Sequence, residues 1–166
     1  MFDQHLFSGR AIAAVDAAGR FTLPGFIRDV LEQRSQQRLI CFGVHERDAC
    51  LLAYDASYSR ALFEDIERRR IGDEAAGRSG ADHHSRMRRM FGFVEHAAFD
   101  ADGLVVLPAL LRRKAMIRKT ALLIGVGGGF ELWNPRIARD AADPQVRELA
   151  DLRVRDITDD EREMMA

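Results

Sequence analysis

Arginines are the side chains of this sequence with the most chemistry to offer. Of its 25 basic residues only Lys114 and Lys119 are lysines. A guanidinium is a planar fork that matches phosphate oxygens and the O6/N7 edge of guanine. A GC-rich genome also enriches arginine, and composition does not separate the two readings. Arg20 stands out by its place. It follows Asp16-Ala17-Ala18-Gly19 and so opens a strand directly after a turn. There it can read a base edge, clamp a phosphate, or stand as a solvated strand-start arginine, which spacing alone favours. Asp16 would repel phosphate, so its expected part is to shape the turn or orient Arg20 by an ion pair.

Three further basic groups could hold phosphate. Arg86, Arg88 and Arg89 form one, and both contact and solvated-face readings fit their spacing. Arg68–Arg70 form another, but Glu64, Asp65 and Glu67 beside them favour a solvated helix face. Arg112, Arg113 and Lys114 follow a Leu-Pro step where a helix start could help hold phosphate. Arg10 and Arg28 are lesser candidates. Such groups position a protein on a duplex without reading its sequence.

Enzyme chemistry finds no constellation. Gly125-Val126-Gly127-Gly128-Gly129 lacks the final Gly of a dinucleotide loop and the Lys-Ser/Thr of a phosphate loop, and reads as a tight hairpin turn. His83-His84 with Asp82 has no companion ligands at zinc spacing. No Gly-x-Ser-x-Gly elbow or Cys/His set is present, and Asp100 with Asp102 is ordinary turn chemistry. No catalytic residue, metal, cofactor or small-molecule substrate is therefore expected. Cys41 and Cys50 lie in apolar stretches and read as buried, reduced thiols. No apolar run approaches the roughly 18–20 residues of a membrane span, and the N-terminus lacks the pattern of a secretory signal. A cytoplasmic location without membrane contact is expected.

The 166 residues suffice for one domain or two small ones. With 47% apolar and 31% charged residues the composition is that of a globular chain. The formal charge of −1 hides a division. Residues 139–166 carry five basic and nine acidic side chains, a net of −4, which leaves residues 1–138 with a net of +3.

The elements that must position these residues come in duplicate. DAAGRFTLPGFIR (16–28) and DADGLVVLPALLR (100–112) share Asp, Ala, Gly, Leu, Pro and Arg at a constant offset of 84. In each copy an apolar strand (11–15; 93–99) enters an Asp-x-x-Gly turn, where Gly supplies a positive φ. A short strand follows (20–23; 104–107), then a proline near the first turn of a helix, where its missing N–H costs nothing. The spacing predicts helices over 25–35 and 109–119, then strand pairs 39–44 with 49–54 and 121–126 with 129–133. Four parts result: a module over 7–54, a helical linker over 55–92 with a flexible break at 72–82, a second module over 93–134, and an acidic helical extension over 135–166. A unit of about 50 residues buries little core by itself, so two units packed face to face about a pseudo-two-fold axis are expected.

The doubled Asp-x-x-Gly…Leu-Pro units resemble the MraZ family, together with Phe7-Ser8-Gly9, the Arg-Arg-Met-Phe stretch at 88–91 and Gly129-Phe130-Glu131-Leu132-Trp133. The resemblance spans about residues 7–135. It implies an α+β fold of two pseudo-two-fold-related double-split β-barrel units, of the AbrB-like swapped-hairpin kind, with flanking helices and a C-terminal helical extension. It also implies a DNA-binding transcriptional repressor of the division and cell-wall gene cluster. Such a regulator binds double-stranded promoter direct repeats as a ring-shaped homo-oligomer at the nucleoid. The family's D-x-x-x-R motif is present as Asp16 to Arg20, which assigns Asp16, Gly19 and Arg20 to the DNA-facing loop; Arg86, Arg88, Arg89 and Arg112 are the accompanying candidates. In the second copy Leu104 stands where the family has Arg. The insert around 73–84 and the acidic tail also depart from the pattern. An AbrB-like protein-interaction or antitoxin-type module with secondary DNA affinity is the alternative.

Overall fold

A computed structural model of the chain describes residues 5–152. Residues 153–166, the end of the expected acidic extension, lie outside the described residues. In chain order the elements are β1 (Arg10–Ala14), β2 (Arg20–Thr22), α1 (Gly25–Arg34), β3 (Leu39–Val44), β4 (Leu51–Tyr54), α2 (Ala56–Ala75), α3 (Ala81–Gly92), β5 (Glu95–Ala98), β6 (Leu104–Val106), α4 (Ala109–Lys114), β7 (Thr120–Gly125), β8 (Phe130–Trp133) and α5 (Pro135–Arg139). Residues 144–152 are also helical.

The protein is α+β. Six strands make an antiparallel sheet in the order β1-β7-β8-β4-β3-β5, and β2 pairs with β6 in a separate two-stranded ribbon. Exchanging the two copies swaps β1 with β5, β3 with β7 and β4 with β8, and the order then reads the same from the other end. The opening strand of each copy therefore pairs with the hairpin of the other. Ala11 lies opposite Leu123 and Ile40 opposite Ala97, while the hairpins meet where Leu51 faces Leu132. The copies are interlaced within one sheet, which corrects the expectation of two units stacked face to face. The exchange pairs β3 and β7 on both sides, so neither hairpin keeps a bare inner edge.

Period-two alternation explains why the hairpin strands are continuously apolar. Ile40, Phe42, Val44, Leu51, Ala53, Ala121, Leu123, Phe130 and Leu132 face one core, filled also by Phe21, Ile27, Val105, Leu107 and Leu111 from the ribbon and from α1 and α4. The alternate residues face outward into two smaller cores. Leu122, Ile124 and Trp133 meet α5 and the 144–152 helix through Ala138, Val146 and Ala150. Cys41 and Tyr54 meet Leu62, Ile66 and Met90 of α2 and α3. A sheet covered on both faces needs apolar residues at every position, and each fully buried Leu, Ile or Phe contributes about 1.5–3 kcal/mol.

Two helices differ from their expected lengths. α2 begins on Asp55, which accepts from Ser57 N, and it continues through Gly72 to Ala75. Only residues 76–80 separate it from α3, so the expected break over 72–82 contracts. Arg70–Glu74 and Asp73–Arg78 pairs brace that end. α4 stops at Lys114 rather than 119, because Met116 turns into the left-handed region at φ 56°. Both cysteines are buried and unpaired, and burial pushes the Cys50 thiol up, so neither presents a reactive thiolate.

Candidate nucleic-acid interface

The loop from Asp16 to Arg20 is held by its own carboxylate. Asp16 Oδ1 accepts from the main-chain N–H of Ala18 at 3.0 Å and of Arg20 at 2.9 Å. Oδ2 accepts from Arg20 Nε at 2.7 Å. These bonds from Arg20, main-chain first and then side-chain, hold the Asp16 carboxyl below its ordinary value. Gly19 sits at φ +88°, and an added Cβ would stand 3.0 Å from the Leu107 carbonyl. That closeness serves the ribbon, since Gly19 O accepts from Leu107 N at 2.8 Å.

Arg20 points outward, its side chain 55% exposed. Its Nε is committed to Asp16, so the guanidinium cannot swing freely. Among the described residues, its two terminal nitrogens form no hydrogen bond. A fixed fork with an open donor edge is the arrangement that bidentate recognition of guanine or phosphate requires.

The second loop repeats the scaffold without the fork. Asp100 Oδ1 accepts from Asp102 N and Leu104 N, both at 2.9 Å. Gly103 has φ +83°, and its carbonyl accepts from Leu23 N. Leu104 then projects 40% exposed, and Val106 49% exposed, on the outer side of β6. They lie opposite Thr22 and Arg20 of β2. The ribbon's outer side is thus polar on one strand and apolar on the other.

The repeated arginines bind loops rather than solvent. Arg112 donates to the carbonyls of Ala17, Asp16, Ile117 and Arg118 at 2.7–3.1 Å. Its counterpart Arg28 makes one such bond, to Asp102 O at 3.2 Å. Each copy's helix therefore braces the other copy's turn, and the first turn is braced far more firmly.

The other candidates are drawn into different contacts. Arg86 Nε lies 3.1 Å from Glu46 Oε1 and Arg89 Nε donates to His45 O at 2.8 Å, so both tie α3 to the first hairpin's loop. Arg88 is exposed. Arg68, Arg69 and Arg70 all meet carboxylates, of Asp65, Glu46, Glu67 and Glu74. Burial pushes the Glu46 carboxyl up, but Arg69 and Arg86 outweigh it and the net shift is downward. His83 lies near Glu67 at 3.6 Å. Among the described residues no group of three or more His, Cys, Asp or Glu could hold a metal ion. The glycine run of the second hairpin makes room for neighbours: a Cβ on Gly128 would collide with the Tyr58 ring. No helix of the described residues is long and apolar enough to cross a membrane.

A pocket of about 900 Å³ opens beside the first loop, lined by Asp16 and Ala17 and by Arg113, Arg118 and Lys119. Spacing does not single out Arg118 and Lys119. Neither belongs to a basic run with a turn or cap signal, and what brings them to the loop is the Arg112 brace.

No family model matches the chain. Similar curated proteins do exist, and the following all carry the name transcriptional regulator MraZ. That of Saccharophagus degradans is 31% identical over 129 residues, covering 78% of this chain and 82% of that protein. That of Syntrophobacter fumaroxidans is 31% identical over 128 residues, covering 77% and 79%. That of Hydrogenovibrio crunogenus is 31% identical over 146 residues, covering 87% and 89%. These names are those of a regulator, not of an enzyme.

Proposed function

The chain belongs to the MraZ family of transcriptional regulators, and from that premise we propose that it binds double-stranded promoter DNA sequence-specifically and represses the division and cell-wall gene cluster. The observation that carries this reading is the Arg20 fork, fixed at Nε by Asp16 and open at its terminal nitrogens. Arg20 contacts the base edge or phosphate, Asp16 orients it, and Gly19 gives the turn its shape. Arg112 supports the loop from behind. Of Arg86, Arg88 and Arg89, the exposed Arg88 is the accompanying phosphate contact, since Arg86 and Arg89 are engaged by Glu46 and His45 O.

The finer fold reading is two AbrB-like double-split units over 7–54 and 93–134, joined by the 55–92 helices and followed by the extension from 135. The exchange of opening strands between the copies supports it. One fork per protomer is a small contact, so binding to direct repeats as a closed ring follows from effective concentration: several weak contacts engage together. Regular spacing of loops around such a ring suits duplex grooves that recur about every 10 bp. The site of action is then the cytoplasm, at the nucleoid. A protein-interaction module with secondary DNA affinity is the second reading, favoured by the outward Leu104 and Val106.

Gel-shift binding to the upstream region of the chain's own operon, against random duplex of equal length, separates the two. Wild type should prefer the operon DNA and Arg20→Ala should lose that preference. No preference in wild type removes the regulator reading; equal preference in the variant removes the role of Arg20.

A further inference from the structure

Taking the DNA-binding reading of Arg20 as its basis, we infer that Arg113, Arg118, Lys119 and Arg136 form a track for the phosphodiester backbone of duplex DNA. The track runs from the first loop along one side of the protein only.

Three observations converge on it. First, these cations are uncommitted. Nine of the 20 arginines among the described residues sit on a carboxylate, among them Arg34 on Asp55, Arg60 on Glu64, Arg69 on Glu46 and Arg78 on Asp73. Among the described residues, Arg113, Arg118, Lys119 and Arg136 join no ion pair, and all four are exposed. A cation already neutralised by a neighbour gains little from a phosphate, whereas an unpaired one releases counterions for its full charge.

Second, they are contiguous and fixed relative to Arg20. The pocket beside Asp16 and Ala17 shares Met116, Arg118 and Lys119 with a second pocket of about 570 Å³, which Arg136 also lines. Arg112 staples the two regions together, reaching Asp16 O and Ala17 O on one side and Ile117 O and Arg118 O on the other. Asn134 Nδ2 donates to Met116 O at 2.8 Å and holds the start of α5 against the same segment. The carboxylate that lines the first pocket, Asp16, is occupied by Arg20.

Third, the pseudo-equivalent surface is not basic. Where α4 carries Arg113, α1 carries Asp29 at the same offset of 84. Before β7 stand Arg118 and Lys119; before β3 stand Gln37 and Arg38, and Arg38 lies 3.9 Å from Glu32. The copy of the loop that keeps its arginine shares a pocket with the unpaired cations, whereas the positions corresponding to them in the other copy hold Asp29, Gln37 and a paired Arg38. Both reading and positioning charge have concentrated on one half of a near-symmetric scaffold.

Fluorescence anisotropy over a salt series tests this on the full-length chain, with labelled operon duplex and random duplex as probes. Arg113→Ser/Arg118→Ser/Lys119→Ser should weaken binding to both duplexes alike. It should also flatten the slope of log K against log salt by roughly 2–3, about 0.9 for each phosphate that is no longer neutralised. Arg60→Ser/Arg68→Ser/Arg78→Ser removes the same charge from exposed, paired positions and should leave the slope unchanged. Arg113→Lys/Arg118→Lys should keep the slope, since backbone contact needs the charge and not the fork. A wild-type slope in the serine triple variant overturns the track, as does an equal flattening in the control. The Arg20 reading fails separately, through unchanged discrimination in Arg20→Ala, and absence of any binding by wild type ends both.

Discussion

Arg112 donates from Nη2 to the main-chain carbonyl of Asp16 at 3.0 Å, across 96 residues of chain. With its bonds to Ala17, Ile117 and Arg118, this makes one guanidinium the joint between the first loop and the segment that leads into β7. The pseudo-equivalent Arg28 reaches only Asp102 O.

That asymmetry is measurable. Hydrogen bonds to a charged group are each worth about 1.5–3 kcal/mol, and a set sharing one side chain is not additive. Arg112→Ala should therefore cost about 2–4 kcal/mol in urea denaturation, against about 1–2 kcal/mol for Arg28→Ala, which forfeits one bond. Equal costs would show that the two loops are braced alike. Operon affinity should fall more for Arg112→Ala as well, because Arg20 loses its support.

The Asp16 carboxyl is held down by Arg20, so the pH dependence has a definite sign. A folded-state pKa below the unfolded value stabilises the fold above the unfolded value, near 3.8 for this group. The contribution is lost as pH falls through the lower folded value. Wild type should hold the Arg20 Nε–H chemical shift at its paired value from about pH 7 down past the ordinary carboxylate value and lose it only below that, as Asp16 protonates. Asp16→Asn should show no such transition. A transition at or above the ordinary carboxylate value, near 3.8, would contradict the pairing.

Asp55 ties the end of α1 to the start of α2 beneath the surface. Its side chain is 1% exposed; its Oδ1 lies 3.0 Å from Nη1 of the largely buried Arg34, and Oδ2 caps Ser57 N. Arg34 in turn donates to His5 O and Gly128 O and lies over the Phe7 ring. Removing one member of a buried pair strands the other, at about 3–5 kcal/mol. Asp55→Ala should lose stability on that scale in thermal and chemical unfolding. A loss under about 1 kcal/mol would mean that the carbonyl partners alone satisfy Arg34.

Leu104 stands on a scaffold already built for an arginine, since Asp100 Oδ1 holds its main-chain N–H as Asp16 Oδ1 holds that of Arg20. Leu104→Arg should fold normally and pair with Asp100. It should raise operon affinity and steepen the salt slope by about one. An unchanged slope would put the second loop away from DNA.

Much of this architecture is legible before any coordinates, because it is local. Asp and Gly at fixed spacing make the two turns, with Gly19 and Gly103 at positive φ as the repeat requires. Pro24 and Pro108 stand just ahead of α1 and α4 as the Leu-Pro steps indicate. The acidic neighbours Asp65 and Glu67 do take Arg68–Arg70 up, with the distant Glu46 added at Arg69. Where local signals mislead, a non-local contact is responsible. α4 ends early at the left-handed Met116, and the non-helical segment that follows is held by Arg112 through the carbonyls of Ile117 and Arg118. α2 runs through a glycine because ion pairs beyond it hold the helix end.

The sequence alone therefore determined the duplication, the two turns, the helices after each Leu-Pro step, and the presence of one loop arginine where two would complete the pattern. These rest on backbone preferences and on spacings of a few residues, which act whatever the rest of the chain does. The tertiary structure alone decided that the copies exchange their opening strands, that the repeated Arg28 and Arg112 brace the opposite turns, and which cations remain unpaired. Partners in a sheet and counter-charges on a surface come from residues tens of positions apart. Whether an arginine is free to meet phosphate depends on which carboxylate folding pairs it with, and Arg113, Arg118, Lys119 and Arg136 join no ion pair among the described residues.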